Sequence, residues 1–454
     1  TMKLTFYGGI KEVTGANYLL ESPSTGSGQA TKILIDCGLH QGSIFSEKKN
    51  WEPFPYNPKD ISAVFITHAH IDHTGRLPKL IKEGFKGKVY STPPTRDFAN
   101  VMLLDTEHIL MQEAERFKKT PLYGIREVEE LMACWEGIPY HKQIEIGSMK
   151  VTLYNAGHIL GSSIVVVEAE EKKIAFSGDL GNTPAPIIGP TEILGDDIDY
   201  CVIESAYGNR LHQPSPEGML ENIIEETVRS GGVLMIPAFA MERTQKLLFE
   251  INELAENGRI PKIPVFLDSP LAIKVTEVYK KYKDYFDKET MNLLKGDNLL
   301  FDFPGLKKTL TAEESKAINN IPPPKVIIAG SGMSQGGRIL HHEKRYLPDP
   351  KSTILFIGYQ AKNSLGRKIL EGEKSVKIHG EEIPVRCRVV SIEEYSAHAD
   401  QGQLLDWLRP MRTNLKKVFA VQGEDEESGA LVQKIINDLA VSAEIPEADK
   451  VYEL

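Results

Sequence analysis

Five times in this chain a short apolar run stops at a histidine or an aspartate set among small residues, and no other feature constrains the fold as tightly. Phe65-Ile66-Thr67 runs into His68-Ala69-His70-Ile71-Asp72-His73-Thr74-Gly75, and Val151–Tyr154 runs into Asn155-Ala156-Gly157-His158. Lys173–Phe176 leads to Ser177-Gly178-Asp179, Val389–Tyr395 to Ser396-Ala397-His398-Ala399-Asp400, and Ile33-Leu34-Ile35 to Asp36. The apolar runs read as strands, and the polar residues then sit at strand ends, where small neighbours let backbones approach closely.

Neutral imidazole and carboxylate form the ligand set of zinc-like divalent cations. Alternate residues of an extended segment point the same way, so His68 and His70 can share one metal, while Asp72 and His73, beyond the bend, can turn toward a second. Four such groups within six residues stand out in a chain with 12 histidines. Taken singly, His158, Asp179 or His398 is more often a hydrogen-bonded core group or a helix cap than a ligand. Their recurrence at strand ends is what argues for a shared site. Asp36 is expected to accept the second ring N–H of a ligating histidine rather than to bind metal itself.

The 454 residues carry a net charge of −10, and hydrophobic residues make up 41%, enough for a large core and more than one domain. No apolar run approaches the roughly 18 residues that a membrane span needs, so a cytoplasmic protein is expected. Four cysteines without CxxC spacing read as buried thiols rather than disulfides or a cysteine zinc site. The overall acidity conceals a basic segment: residues 321–390 hold 12 Lys/Arg against 6 Asp/Glu, and residues 391–454 hold 6 against 13. Charge therefore argues for a polyanion partner regionally, not globally.

Strands dominate the first 207 residues, interrupted by helical periodicity at about Arg96–Lys118 and Ile125–Trp135. From 208 the rhythm turns to helix and strand in alternation, with helices expected over Pro216–Arg229, Met241–Glu256 and Ala272–Leu294, and a largely parallel sheet. After 372 strand character returns at Val385–Ile392. Within the middle region, Gly330-Ser331-Gly332-Met333-Ser334-Gln335-Gly336-Gly337-Arg338 is a Gly-rich strand-to-helix loop whose N–H groups and arginine suit phosphate. Arg243 stands at a second strand-to-helix junction, for which simple packing is the competing reading.

The set His68, His70, Asp72, His73, His158 and Asp179 resembles the HxHxDH and downstream motifs of the metallo-β-lactamase superfamily. Glu204-Ser205-Ala206-Tyr207-Gly208-Asn209-Arg210 resembles motif A of its β-CASP branch, and Ser396–Asp400 resembles motif C. Within that branch the likeness is to RNA-processing nucleases such as the endonuclease subunit of the eukaryotic cleavage and polyadenylation factor and its prokaryotic relatives. The resemblance implies an α/β fold: an αββα sandwich made from residues 1–207 and 373–454, with an α/β cap inserted at 208–372.

It further implies two Zn2+ ions, manganese being the alternative, with His68, His70 and His158 on one, Asp72, His73 and His398 on the other, and Asp179 bridging. A hydroxide shared by the metals would attack the phosphodiester of single-stranded RNA, and Glu204 would support His398. The histidine at motif C favours RNA over DNA. Gly358–Ile369 resembles the segment carrying motif B, where Lys368 stands in place of a histidine, which leaves the general acid unassigned. Ser331, Gly332, Ser334, Arg338, Arg243, Arg367 and Lys368 are the implied backbone contacts. Spacing leaves endonuclease and 5′-exonuclease action open, and the acidic C-terminal region reads either as a solvated face or as a contact for a second copy of the chain. A hydrolase of small esters, thioesters or lactams is the competing function, against which stand the inserted basic cap and the pairing of Glu204 with His398.

Overall fold

The strand-rich ends of the chain meet in one compact unit, Thr1–Leu211 with His398–Leu454, while His212–Ala397 form a second. These are the units of a computed structural model, which describes residues 1–23, 30–42, 44–213, 216–294, 300–392 and 395–454. Glu393 and Glu394, in the run leading to His398, lie outside the described residues.

The first unit stacks two seven-stranded sheets. One runs in the order Val451–Glu453, Lys3–Gly8, Asn17–Ser22, Thr31–Ile35, Ala63–Phe65, Lys88–Ser91, Trp135–Gly137. The other runs Ala443–Glu444, Lys417–Val421, Tyr200–Glu204, Lys172–Phe176, Ser163–Ala169, Met149–Asn155, Ile144–Ile146. Apolar residues of the inner faces, among them Phe6, Tyr18, Ile33, Phe65, Val151, Val165, Phe176 and Phe419, close on one another as a continuous core. The far face of the second sheet packs Ile164, Ala175, Cys201 and Val418 against Leu404, Leu405, Leu408 and Leu431, from the helices Gln401–Leu408 and Asp425–Lys434. A two-sheet sandwich with both chain ends woven into it is thus present as expected.

The second unit is built on a parallel sheet, ordered Leu306–Lys308, Val265–Asp268, Lys325–Ala329, Val233–Pro237, Thr353–Phe356, Arg388–Ser391. Its four inner strands are buried along their whole length, as parallel strands covered by helices must be. Two expectations need correction here. Arg388–Ser391 pairs in parallel with Thr353–Phe356, so residues 373–397 fold with the inserted unit and the chain returns to the sandwich at 397/398 rather than 372/373. The single helix expected over 272–294 is two, Pro270–Lys281 and Lys288–Leu294, because Phe286 turns extended and buries its ring, and the Asp287 carboxylate accepts the Thr290 N–H.

The four cysteines are unpaired, and Cys37, Cys201 and Cys387 are buried. No helix among the described residues is long and apolar enough to cross a membrane.

Candidate metal centre

Each polar residue at the end of an apolar run in the sandwich is delivered to one place by its strand. Ala63–Phe65 delivers the His68–His73 segment, Met149–Asn155 the His158 loop, Lys172–Phe176 the Asp179 loop, Tyr200–Glu204 ends on Glu204, and Lys417–Val421 ends before Gln422. The loops interlock by backbone bonds, Ser163 N–H to Thr67 O at 2.7 Å, Gly181 N–H to Ala156 O at 2.9 Å and Ala399 N–H to Leu180 O at 2.8 Å. Glycine is required for this approach: a Cβ on Gly38 would lie 1.5 Å from the Asp72 carbonyl oxygen, and one on Gly181 would lie 1.8 Å from that of Gly157.

Four ligand atoms, from His68, His70, His158 and Asp179, all lie within 4.8 Å of one another. His68 Nε2 is 3.0 Å from His70 Nδ1, and the Asp179 Oδ2 is 3.4 Å from His68 Nε2 and 3.5 Å from His158 Nε2. Burial holds His70 and His158 well below the ordinary imidazole value, helped by the neighbouring histidines, so both are kept in the neutral form that binds a cation. Burial opposes the charge of Asp179, but His73, His68 and His398 hold its carboxyl well below the usual carboxylate range. Three imidazole nitrogens and one carboxylate at this spacing fit a tetrahedral divalent cation.

Asp179 turns its other oxygen to a second group. Its Oδ1 is 3.3 Å from His73 Nε2, which in turn is 3.7 Å from Asp72 Oδ2. Behind His73, the buried Asp36 accepts from His73 Nδ1 at 2.7 Å and from the Thr67 N–H and hydroxyl, both at 2.8 Å. This fixes the ring with Nε2 toward Asp179, the arrangement expected of an orienting carboxylate.

His398 is where the geometry departs from the expected ligand division. Its ring joins Asp179 and Glu204, rather than Asp72 and His73, in a second group whose possible ligand atoms lie within 4.8 Å of one another. Nδ1 is 3.2 and 3.3 Å from the two Glu204 oxygens and 3.9 Å from Asp179 Oδ2, and the ring centroid is 4.7 Å from that of His158. Glu204 is fully buried, accepts the Leu180 N–H at 2.7 Å, and is raised above the usual carboxylate value by burial against the pull of His398. Burial disfavours a charge on His398, but Glu204 and Asp179 outweigh it and bring the imidazole up to about 10.

One residue at the centre escaped the sequence reading. Gln422 is buried, and its Nε2 lies 2.7 Å from His73 Nε2 and 3.1 Å from Asp179 Oδ1. The signal was present in the same form as the others: the apolar strand Lys417–Val421 stops at Gln422-Gly423, and Gln422 takes a left-handed φ of 53°. Glutamine is outside the imidazole, thiolate and carboxylate set that signals a metal ligand, so its residue type alone does not point to the centre.

In the second unit the Gly-rich loop is not an open phosphate cradle. Arg338 donates from Nη1 to the fully buried Asp268 at 2.8 Å and to Thr309 O at 3.0 Å, and from Nη2 to Leu310 O at 2.8 Å. The Ser331 N–H bonds Gly336 O, the Ser331 hydroxyl accepts the Gln335 N–H, Gly332 packs on the Phe239 ring, and the Ser334 hydroxyl donates to Glu343 at 2.5 Å. A buried carboxylate needs compensating donors, and Asp268 takes the Arg338 guanidinium for this purpose. Arg243 lies over the Phe239 ring at 4.7 Å and against Gly358, its Nε without a hydrogen-bond partner. Arg367 pairs with Glu371 at 2.6 Å, and Lys368 is exposed on the short helix Leu365–Leu370.

An αββα sandwich with a histidine and aspartate centre at its strand ends and an inserted parallel α/β unit defines a class of metal-dependent hydrolase, and comparison with known proteins agrees. Residues 15–200 match the model of the Metallo-beta-lactamase superfamily, 244–369 that of the Beta-Casp domain, and 382–446 that of the Zn-dependent metallo-hydrolase RNA specificity domain. The chain is 38% identical over 433 residues to Ribonuclease TTHA0252 of Thermus thermophilus, covering 95% of each. It is 31% identical over 448 residues to an RNase J-like protein of Methanocaldococcus jannaschii, covering 98% of this chain and 97% of that one. It is also 31% identical over 459 residues to the transcription termination factor FttA of Methanosarcina mazei, covering 97% and 70%. A crystal structure of a protein from Enterococcus faecalis V583 matches the whole chain with a TM-score of 0.56 at 12% identity, a likeness of fold. The chain belongs to the β-CASP branch of the metallo-β-lactamase superfamily.

Proposed function

We propose that this protein is a metal-dependent endoribonuclease, hydrolysing phosphodiester bonds of single-stranded RNA with two metal ions. The observation that carries the reading is the placement of Asp179, one carboxylate with an oxygen toward His68 and His158 and the other toward His73. The RNA specificity domain matched at 382–446 and the ribonuclease relative aligned along 95% of the chain support RNA as the substrate.

In this reading His68, His70, His158 and Asp179 hold one cation, zinc by ligand type, and Asp72, His73 and Asp179 contribute to a second. Bound there, the cations supply Lewis-acid stabilisation of the phosphate and acidify the attacking water. The chain's own residues do the rest. Asp36 and Thr67 fix the His73 ring. Glu204 holds His398 as an imidazolium, and His398 hands its proton to the departing ribose oxygen, leaving a 5′-phosphate and a 3′-hydroxyl. In this reading that role takes the place of metal ligation for His398 and supplies a general acid where motif B carries Lys368. Arg367, half-buried, and Lys368, exposed, both on the second unit, are proposed contacts for the RNA backbone.

The test is a cleavage time course on single-stranded RNA labelled at either end, with DNA of the same sequence and with Asp179→Asn, the metal content of each sample being measured. Internal fragments appearing early on RNA and slowed at least about 10²-fold by the substitution are expected. Products shortened one nucleotide at a time from the 5′ end would replace the endonuclease reading, and metal-loaded protein that leaves RNA intact would reject RNA hydrolysis.

A further inference from the structure

Gln422 sits where a second cation would have to bind. Its Nε2 lies 2.7 Å from His73 Nε2 and donates to Asp179 Oδ1 at 3.1 Å, the two atoms that the second locus would offer to a metal. A lone pair that accepts an N–H cannot at the same time bind a cation, so this amide and a metal exclude each other. At the first locus His68, His70, His158 and Asp179 offer four ligand atoms within 4.8 Å of one another. Asp72 and His73 stand outside both convergent groups found among the described residues.

The surroundings of Gln422 show how the exclusion can be lifted. Its Oε1 accepts from the Tyr18 hydroxyl at 3.4 Å, while its backbone is pinned by the Gln422 N–H to Gly9 O bond at 2.6 Å and by the strand that ends at Val421. Turning the amide end for end keeps the side chain in place and exchanges its roles. Nε2 then donates to the Tyr18 oxygen, since a hydroxyl both gives and accepts, and Oε1 faces His73 and Asp179. The second locus becomes one imidazole with oxygens from Asp72, Asp179 and Gln422, whereas the first has three imidazoles and one carboxylate. Nitrogen-rich sites suit zinc, and oxygen-rich sites suit harder cations such as manganese.

Resting on the metal-centre reading above, we infer that the two metal positions are unequal. The first holds one zinc tightly, and the second is an exchangeable position gated by the Gln422 amide, weak for zinc and selective for an oxygen-seeking cation.

Metal stoichiometry tests this without reference to activity. The full-length protein is loaded with zinc, dialysed exhaustively against metal-free buffer and assayed for metal per chain, then titrated with Zn2+ and with Mn2+ by calorimetry, with electron paramagnetic resonance of free Mn2+ as a second readout. The expected result is one zinc retained per chain and one further Mn2+ taken up reversibly. Gln422→His, which supplies an imidazole, should retain two zincs and bind the second about tenfold or more tightly than the unaltered chain. Two zincs retained equally by the unaltered protein would overturn the inference, as would a Gln422→His variant whose second site is no tighter. Retention of no metal at all would instead overturn the metal-centre reading on which the inference rests. The unaltered chain decides the matter even where the variant fails to fold.

Discussion

At His398 a single side chain separates two accounts of the centre. As a ligand it would have to reach the Asp72–His73 side; as placed, it joins Glu204 at 3.2 Å on the Oδ2 side of Asp179. The two roles predict different defects. His398→Ala should lower kcat by about 10²–10⁴-fold while leaving the tightly held metal in place, because proton transfer is lost and the first ligand set is not. Metal analysis of the purified variant beside its rate checks this, and a variant that loses its metal would restore the ligand role. The pH dependence follows from the same pair. With its imidazole near 10, His398 stays in the acid form through neutral pH, and log kcat should fall only as the pH rises through about 10. Glu204→Gln removes the charge that sustains this form, so the alkaline limb should move toward neutral pH.

At the scale of elements, the inserted unit is organised by buried carboxylates rather than by an open anion site. Asp268, at the end of its strand, receives His342 Nε2 at 2.7 Å, the hydroxyls of Thr309 and Ser315 at 2.7 Å each, and Arg338 at 2.8 Å. Glu343, on the helix Ile339–Tyr346, is buried with only the Ser334 hydroxyl on one oxygen, and burial pushes it up to about 8. The folded state therefore keeps a proton that the unfolded chain, with an ordinary value of 4.5, gives up. Protons bound in excess by the folded state mean that its stability falls as the pH rises from 4.5 to 8. Glu343→Gln cannot ionise and should escape that loss. Thermal unfolding of both proteins across this range should show similar melting temperatures near pH 5 and a higher one for the variant at pH 8. The same elements show why the loop 330–338 misled: glycines and an arginine before a helix are read as a phosphate site by residue type, and the carboxylate that claims the arginine lies 70 residues earlier in the chain.

For the whole molecule, the two units differ in how the chain makes them. The inserted unit is contiguous, with its own parallel sheet and a core of Val233, Met235, Phe266, Ile327, Ile354 and Phe356. The sandwich needs both ends, since Lys417–Val421 lies between Tyr200–Glu204 and Ala443–Glu444, and Val451–Glu453 pairs with Lys3–Gly8. Residues 212–397 expressed alone should give a cooperative thermal transition by circular dichroism and bind no metal. Residues 1–211 alone should give none, because Glu204 would end on an unpaired edge and the helices covering that sheet would be missing. A cooperative transition from the 1–211 fragment would show that the C-terminal segment is an accessory rather than part of the sandwich.

By itself the sequence determined the strands and what stands at their ends. Periodicity placed the apolar runs, and the residue types after them, His68 to His73, His158, Asp179 and His398, named the chemistry, because both are local properties of a few consecutive residues. Only the tertiary structure decided how those groups divide. That Asp179 faces two ways, that His398 goes to Glu204 rather than to His73, that Gln422 meets His73 and Asp179 and that Arg338 serves Asp268 all depend on which loops meet across the sandwich or within the inserted sheet. Those meetings are fixed by strand order and register between segments as far apart as 349 residues, as for Gln422 and His73, and no local pattern carries that information.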